Sequence, residues 1–297
     1  MEVGRAIAGR AIAGRAGIAA GCRSARFERS DMLGVESFTN RQPGELARMA
    51  AKKVVTERSD EDAYDVVAVG AHPDDVEIAC GGTLAALSDL GRKVAIVDLT
   101  DGEPTPLSPS PEVRLAEAQR AAEVLGVDRI VLDLPNRRLF DDFDARCLLA
   151  TVFRKLRPKV VIGFGGKTPL ASPDHWQAMQ ITDAAVFYSR LTKWDEHFEG
   201  LPVHTVQRQL YFRLAFEPDS LAEYPGHFVQ DITATLDRKL EAIACYETQF
   251  PPNKRHVLER VRAAAILTGT AAGVGAGEAF VSPRPIATTD LVTSLFP

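Results

Sequence analysis

The chain has 297 residues, of which 45% are apolar and 25% are charged, with a formal net charge of −5. This balance is typical of a globular protein with a sizeable core, and it argues against a protein that binds nucleic acid or a membrane surface. No run of about 18 apolar residues occurs, so no membrane span is expected. The four cysteines are scattered without a CxxC pair, which indicates free thiols in a reducing, cytoplasmic setting.

The first part of the chain differs in composition from the rest. Residues 4–21 repeat a five-residue unit rich in Ala, Gly and Arg, which is typical either of a targeting peptide or of low-complexity sequence. The frequent glycines disfavour a steady amphipathic helix and so favour the second interpretation. Residues 41–57 have the pattern of a helix and 58–65 that of a polar linker. We therefore predict an N-terminal extension over 1–62 and one domain over 63–297.

From residue 63 onward, short β-branched runs alternate with segments of helical periodicity. We predict strands over residues 66–70, 93–99, 129–134, 159–165 and 208–216. We predict helices over residues 81–91, 111–126, 143–157, 173–191, 236–250 and 256–269. Because the strands are almost wholly apolar, the predicted class is α/β, with an open, mostly parallel, Rossmann-like sheet and helices on both faces.

Polar loops follow the first four predicted strands. They are AHPDD (71–75), TDGE (100–103), PNRR (135–138) and GGKTPLASPDH (165–175). Because the carboxyl ends of parallel strands share one edge of a sheet, we expect these loops to converge on one rim. Ligands of open α/β sheets bind at that edge.

His72, Asp75 and His175 are the candidate metal ligands on this rim. A catalytic zinc takes three protein ligands and keeps one position open for water. A lone histidine at a strand end is more often a satisfied structural residue, and Asp75 by itself could cap a helix or be a solvated acid. The combination of HPDD at one strand end and PDH at another favours a zinc site at the C-terminal ends of the strands.

Asp74 and Glu77 complete the charged group of the first loop. Because neighbouring side chains point apart, we expect Asp74 not to share the metal with Asp75 but to act as general base toward the water that zinc activates. The alternative is that Asp74 is only a turn residue after Pro73. Glu77 either orients a ligand histidine or caps the next helix, and the residues favour neither reading.

Six stretches of the chain resemble motifs of a known protein family. They are AHPDDVEIACGGTLAAL, VDLTDGE, EVRLAEAQRAAEVLGV, SPDH, YETQF and GEAFVSPRPI, and together they span roughly residues 65–295. Together they resemble the PIG-L/LmbE family of zinc N-deacetylases, with the closest similarity to the bacillithiol-pathway branch that deacetylates N-acetylglucosaminyl malate. The resemblance implies a small acetylated amino sugar as substrate, Zn²⁺ or alternatively Fe²⁺ as the metal, and a homo-oligomer, either trimer or hexamer.

The resemblance also implies roles for individual residues. It implies the metal ligands and the base named above. It implies that Arg114 reaches the substrate, although the sequence around Arg114 by itself indicates a solvated helix residue. Asn136 and Arg137 stand where the family lines its sugar pocket. Glu103 lies on the same rim and is equally readable as a loop acid.

The chain departs from the family at Ser172. Family members usually carry a histidine there, which is thought to stabilise the oxyanion or protonate the leaving amine. Ser172 suits a helix N-cap, Pro173 the first helical position and Asp174 the positive helix end. The helix start is thus preserved while one catalytic donor is absent. Either Lys167 or His227 replaces that donor, or Ser172 acts as a weaker one in a slow enzyme, or the substrate differs.

Three other protein classes compete with a zinc hydrolase. Two histidines and a carboxylate also form the ligand set of non-haem iron oxygenases, but the adjacent Asp74 suits hydrolysis. Asp98 stands where a dinucleotide-binding fold has its ribose-binding acid, but the first turn lacks GxGxxG. A metal- or sugar-binding homologue weakened in catalysis would explain Ser172, although metal binding alone has no use for Asp74. We therefore predict a zinc-dependent hydrolase that removes the acetyl group from an N-acetylglucosamine-type substrate.

Overall fold

The computed structural model describes residues 63–169, 171–214 and 226–290. The predicted extension over 1–62, with its helix over 41–57, lies outside the described residues. Residues 215 and 216, at the end of the fifth predicted strand, lie outside them as well. The domain boundary near residue 63 therefore stays a prediction.

Among the described residues, seven strands form one sheet. The strands are β1 (Val66–Gly70), β2 (Val94–Asp98), β3 (Asp128–Val131), β4 (Val160–Phe164), β5 (Arg208–Phe212), β6 (Gly226–Asp231) and β7 (Gly277–Ser282). Their order is β3-β2-β1-β4-β5-β7-β6. The first five pair in parallel, and β7 runs antiparallel to both of its neighbours. The first five were predicted, whereas β6 and β7 were missed.

Helices cover both faces of this sheet. They are α1 (Asp75–Asp89), α2 (Pro111–Leu125), α3 (Phe143–Leu156), α4 (Asp174–Tyr188), α5 (Leu236–Ala244) and α6 (His256–Ala272). The chain runs from β1 outward to β3 and then crosses back to β4 on the other side of β1. Right-handed crossovers in opposite directions place α1 and α2 on one face and α3 and α4 on the other. The predicted Rossmann-like α/β class is confirmed.

The central strands β1 and β2 lie in the middle of the hydrophobic core. Every residue of β1 and of β2 is buried, as expected for a parallel sheet that is covered on both faces. The helix α2 begins at Pro111 after Ser110 and stops at Gly126, whose φ of 74° is left-handed. These local signals predicted the bounds of α2 to within one residue, because proline suits a helix start and glycine a helix stop.

The helix α1 differs from the prediction, because it begins at Asp75 rather than at residue 81. Its backbone breaks at Cys80, where φ is −142° and ψ is 20°. The N–H groups of Gly82 and Thr83 beyond this break donate to the carboxylate of Glu278 at 3.0 and 2.7 Å. A carboxylate from β7 thus caps the second half of α1, and the charged loop of the motif becomes the first turn of a helix.

The helix α5 is shorter than predicted, since it ends at Ala244 rather than at residue 250. The chain turns there, and Tyr246 is completely buried. Two short 3₁₀ helices, Asp195–Phe198 and Pro252–Lys254, lie in the connections. Within the three described ranges, no helix has both the length and the apolar character needed to cross a membrane.

Candidate metal centre

The candidate site lies beyond the carboxyl ends of β1 and β4. These two strands are neighbours at the point where the strand order reverses, which is where open α/β sheets bind their ligands. The segment after β1 carries His72, and the segment after β4 leads to His175 at the start of α4. The predicted convergence of strand-end loops is therefore confirmed for these two loops.

His72, Asp75 and His175 bring one ligand atom each within 4.8 Å of one another. Asp75 Oδ1 lies 3.2 Å from His175 Nε2, and Asp75 Oδ2 lies 3.4 Å from His72 Nδ1. The backbone N–H groups of Ala71 and His72 donate to Asp75 Oδ2 at 3.1 and 2.9 Å. The turn after β1 thus fixes the carboxylate that stands between the two imidazoles.

The second nitrogen of each imidazole has its own partner. His72 Nε2 lies 3.2 Å from Asp174 Oδ2, and His175 Nδ1 lies 2.9 Å from Thr168 Oγ1. Partners of this kind orient the histidines of metal sites and fix the nitrogen that faces the ion. Sequence reasoning had placed Asp174 only at the positive end of a helix and had not considered Thr168.

The ring of His175 is further held by stacking on Phe164, with ring centroids 4.7 Å apart and planes 15° apart. Asp174 is held from the loop after β3, because the backbone N–H of Arg137 donates to Asp174 Oδ2 at 2.7 Å. Asp174 is only 2% exposed. Three strand-end loops therefore contribute to the position of the two histidines.

The charges of the three candidate ligands are coupled. Burial opposes protonation of His72, but the carboxylates of Asp174 and Asp75 outweigh it and raise the pKa of His72 to about 10. Burial also opposes protonation of His175, and Asp75 outweighs it, so the pKa of His175 is raised. Burial would raise the pKa of Asp75, but His175 and His72 hold it well below its usual range.

This arrangement fits a divalent transition metal. Two imidazole nitrogens and one carboxylate oxygen, each with a supporting hydrogen bond, form a donor set that both zinc and iron(II) accept. A cation among the three groups would balance the negative charge of the Asp75 carboxylate. The chemistry of the donor set thus fits a metal ion and does not by itself choose between the two.

Asp74 stands beside the ligand set but takes no part in it. Its φ of 112° is left-handed, a backbone conformation that residues other than glycine adopt mainly where the surroundings enforce it. Arg114 Nη2 donates to Asp74 Oδ2 at 3.2 Å and also to the carbonyl of Pro73. Burial, only partly offset by Arg114, raises the pKa of Asp74 to about 7.

Arg114 is not a solvated helix residue, and that reading of its sequence context was wrong. Arg114 is 2% exposed, because its side chain extends from α2 toward the site and not toward water. The guanidinium carbon lies 5.0 Å from the centroid of the Tyr246 ring. The structure therefore shows Arg114 holding the Asp74 carboxylate and the preceding carbonyl, while its contact with substrate stays a proposal.

Glu77 belongs to a buried ionic network below the site. Its Oε1 accepts from Arg129 Nη1 at 2.5 Å and from Tyr246 Oη at 2.7 Å. Arg129 Nε in turn donates to Asp98 Oδ2 at 2.6 Å. Among the described contacts, the Glu77 carboxylate neither orients a ligand histidine nor caps α1, so both predicted roles were wrong. Asp98 is engaged by Arg129, which further disfavours a ribose-binding role.

Ser172 lies in the loop just before α4. Its Oγ accepts the N–H of Asp174 at 3.2 Å, and its carbonyl accepts the N–H of His175 at 3.2 Å. The helix begins at Asp174, one residue later than predicted. Ser172 therefore supports the helix start as expected, and its hydroxyl keeps one proton to donate.

The two residues expected to replace the missing histidine lie on different elements, Lys167 in the loop after β4 and His227 in β6. Lys167 is exposed, and its Nζ lies 5.3 Å from the centroid of the Trp176 ring. His227 lies near the start of β6, three strands away from β4 in the sheet, at the level of Tyr211 in β5 and Gly163 in β4. The roles of Lys167 and His227 as catalytic donors therefore stay predictions.

The remaining predicted residues occupy the loops after β2 and β3. Asn136 is half-buried, and the side chain of Arg137 is exposed while its backbone N–H supports Asp174. Arg137 has a left-handed φ of 62°. Glu103 accepts from both the N–H and the Oγ1 of Thr105 at 2.8 Å, so its carboxylate stabilises its own loop.

The chain is similar to proteins of one known family. Residues 67–186 match the family described as PIG-L, GlcNAc-PI de-N-acetylase. The diacetylchitobiose deacetylase of Thermococcus kodakarensis is 32% identical over 202 residues, which make up 64% of this chain and 72% of that protein. The chain belongs to the PIG-L/LmbE family. Its assignment to the bacillithiol branch of the PIG-L/LmbE family stays a prediction.

Two further relatives of this PIG-L/LmbE protein have different activities. The N,N′-diacetylchitobiose deacetylase from Pyrococcus horikoshii, solved in complex with its inhibitor MPG, superposes with a TM-score of 0.65 at 26% identity, over 80% of this chain and 90% of that one. The 4-oxalmesaconate hydratase of Pseudomonas putida is 27% identical over 242 residues, 77% of this chain and 88% of that protein. The family likeness therefore includes both a deacetylase and a hydratase.

Proposed function

We propose that this PIG-L/LmbE protein is a zinc-dependent hydrolase that removes the acetyl group from an N-acetylglucosamine-type sugar. The observation that carries the proposal is a carboxylate, Asp74, placed directly beside the His72, Asp75 and His175 ligand set without belonging to it. Hydrolysis needs such a separate base, whereas metal binding alone does not. Two deacetylase relatives with amino-sugar substrates support the choice of reaction.

The metal would be held by His72 through Nδ1, by Asp75 through its carboxylate and by His175 through Nε2. When bound, a divalent ion supplies two effects, polarisation of the acetyl carbonyl and a lower pKa of a nearby water. Asp75 is already held by two backbone N–H groups. Little rearrangement of the chain is therefore needed for the three groups to meet an ion.

Asp74 would move the protons of the reaction. Arg114 engages Oδ2, so we assign Oδ1 as the atom that takes a proton from the attacking water. The water oxygen forms a bond to the acetyl carbon, and the bond from that carbon to the amide nitrogen then breaks. Asp74 returns its proton to the nitrogen, which leaves acetate and a free amino sugar.

Ser172 would donate a hydrogen bond to the oxygen of the acetyl group as negative charge develops there. Its hydroxyl accepts from the Asp174 N–H and still has one proton to give. A neutral hydroxyl is a weaker donor than an imidazolium, and loss of an oxyanion donor lowers rates by about 10²–10³ elsewhere. Asn136, Arg137 and Arg114 are our candidates for contacts with the sugar.

A second candidate function is the addition of water to a carbon–carbon double bond of an unsaturated acid. The Pseudomonas putida hydratase aligns with 77% of this chain, compared with 64% for the Thermococcus deacetylase. A base beside a metal site can direct water to an electron-poor carbon as well as to an amide. Ser172, which departs from the usual histidine of the family, favours considering this reaction.

One paired assay distinguishes these functions. The zinc-loaded protein is incubated with N-acetylglucosamine, N,N′-diacetylchitobiose and N-acetylglucosaminyl malate, and both released acetate and new primary amine are measured. In parallel, loss of ultraviolet absorbance reports hydration of 4-oxalmesaconate. Asp74→Asn at equal zinc content is the matched control and should be inactive in whichever reaction is native.

Equal amounts of acetate and amine from any of the sugars would support the deacetylase. Consumption of the unsaturated acid alone would replace it with the hydratase. Stoichiometric zinc without either reaction would favour the weakened metal- or sugar-binding homologue. The homo-oligomer and the cytoplasmic location stay predictions, and light scattering of the purified protein tests the first of them.

A further inference from the structure

A second cavity lies at the end of the sheet opposite the metal centre. It has a volume of about 320 Å³ and lies between the last turns of α4, the start of β5 and the segment that follows β7. The helix α4 begins beside the metal ligands, and a helix rises about 1.5 Å per residue. Phe187 at this cavity therefore lies about 18 Å along the helix axis from His175, too far for the same small substrate to reach both.

Three arginines line this cavity. They are Arg190 after α4, Arg208 at the first position of β5 and Arg284 just after β7. Within the described part of the chain, none of these guanidinium groups forms an ion pair with a carboxylate. Three cations gathered from distant segments repel one another, and an anion bound among them would offset this repulsion.

The acid that lines the cavity, Asp183 in α4, is already engaged. Its Oδ1 accepts from Gln209 Nε2 at 2.5 Å and from Tyr211 Oη at 3.1 Å. Burial raises the pKa of the Asp183 carboxyl, and this single acid faces three arginines. The lining among the described residues is therefore positively charged overall.

The cavity also has an apolar wall, formed in part by Val186, Phe187 and Val206. The guanidinium carbon of Arg190 lies 4.6 Å from the centroid of the Phe187 ring, and such stacking limits the directions that the planar group can take. The volume lies at the lower end of the range for small-molecule sites, about 300–1,000 Å³. A bare inorganic ion would leave most of this space and the apolar wall without a contact.

We propose that this cavity is a binding site for a small organic phosphate. Arg190, Arg208 and Arg284 would bind the phosphate oxygens, and the organic part would lie against Val186 and Phe187. Phosphate is preferred to a single carboxylate because it offers more oxygens and up to two negative charges to three guanidinium forks. The site is separate from the metal centre and does not depend on the reaction catalysed there.

Isothermal titration calorimetry of the zinc-loaded full chain tests the proposal. The probes are ribose 5-phosphate, inorganic phosphate, citrate and, as the uncharged analogue, ribose. We expect saturable binding of ribose 5-phosphate, weaker binding of inorganic phosphate and no binding of ribose. Failure of both phosphate probes to bind, or tighter binding of citrate than of ribose 5-phosphate, would overturn the assignment.

Charge-removing variants locate the binding. Arg190→Gln and Arg284→Gln change exposed residues, so both variants are expected to fold, and each should weaken ribose 5-phosphate binding about tenfold or more. The matched control is Arg260→Gln, which removes an exposed arginine from α6 and should leave the Kd unchanged. Zinc content should be equal in the wild type and in the three variants. Wild-type affinity in both cavity variants would place the phosphate elsewhere, for example on the metal, and would overturn the proposal.

Discussion

The replacement Asp174→Asn should weaken zinc binding without unfolding the protein. Asp174 Oδ2 lies 3.2 Å from His72 Nε2 and accepts the N–H of Arg137 at 2.7 Å, and the residue is 2% exposed. Asparagine has nearly the same shape, so the loop after β3 keeps an acceptor. The change removes the negative charge that orients His72 and strengthens it as a ligand.

The magnitude follows from the kind of hydrogen bond that is lost. A hydrogen bond to a charged group contributes about 1.5–3 kcal/mol, compared with about 0.5–1.5 kcal/mol between neutral groups. The difference of about 1–1.5 kcal/mol corresponds to a five- to tenfold change in affinity. Removal of an outer partner from known metal sites weakens binding about 10–100-fold. We therefore expect the zinc Kd of Asp174→Asn to rise about tenfold.

The measurement is competition for zinc between the protein and a chromogenic chelator, at fixed pH. Asp183→Asn is the matched control, because Asp183 is a carboxylate in the same helix that accepts two hydrogen bonds but does not touch the ligands. Thermal unfolding of both metal-free variants separates folding from metal binding. An unchanged zinc Kd for Asp174→Asn would show that His72 is oriented without this carboxylate and would refute the reasoning.

Three further predictions concern the base, the departure from the family and the fold. Asp74→Asn should keep stoichiometric zinc and lose turnover about 10²–10⁴-fold; a near-normal kcat would remove Asp74 from the mechanism. Ser172→Ala should lower kcat only modestly and Ser172→His should raise it, whereas a large loss in Ser172→Ala with zinc retained would contradict this ranking. Glu278→Ala should lower the free energy of unfolding by about 3–5 kcal/mol, because it leaves the Lys239 ammonium unpaired in the core. In urea unfolding, a further Lys239→Met change should recover part of this loss, and no recovery would mean that the buried charge is not the cause.

Local signals predicted much of the fold. The strands β1, β2 and β4 are apolar runs rich in β-branched residues, and the start and end of α2 follow from Pro111 and Gly126. The strand β7 was missed, because GEAFVS (277–282) has few β-branched residues and becomes a strand through pairing with β5 and β6. The start of α1 was placed too late, because its break at Cys80 is stabilised by Glu278 from a distant part of the chain.

In the candidate site, too, the residues chosen from local signals were found, and those that depend on long-range contacts were missed. His72, Asp75 and His175 were chosen from their residue types and from loops expected at one rim, and the structure places their ligand atoms within 4.8 Å. Asp174 and Arg129 were not recognised. Their partners lie far away in sequence, since the residue numbers of His72 and Asp174 differ by 102 and those of Glu77 and Arg129 by 52.

The sequence by itself determined the α/β class, the rim on which the polar loops meet and the residues able to hold a metal. These follow from hydrophobic periodicity and from the chemistry of histidine and carboxylate side chains, both of which are local properties. Only the tertiary structure decided that Asp174 supports His72, that Arg114 is buried against Asp74, and that three arginines meet at the opposite end of the sheet. Such contacts depend on how separate helices and strands pack against one another. No local pattern of residues specifies which distant side chains will meet.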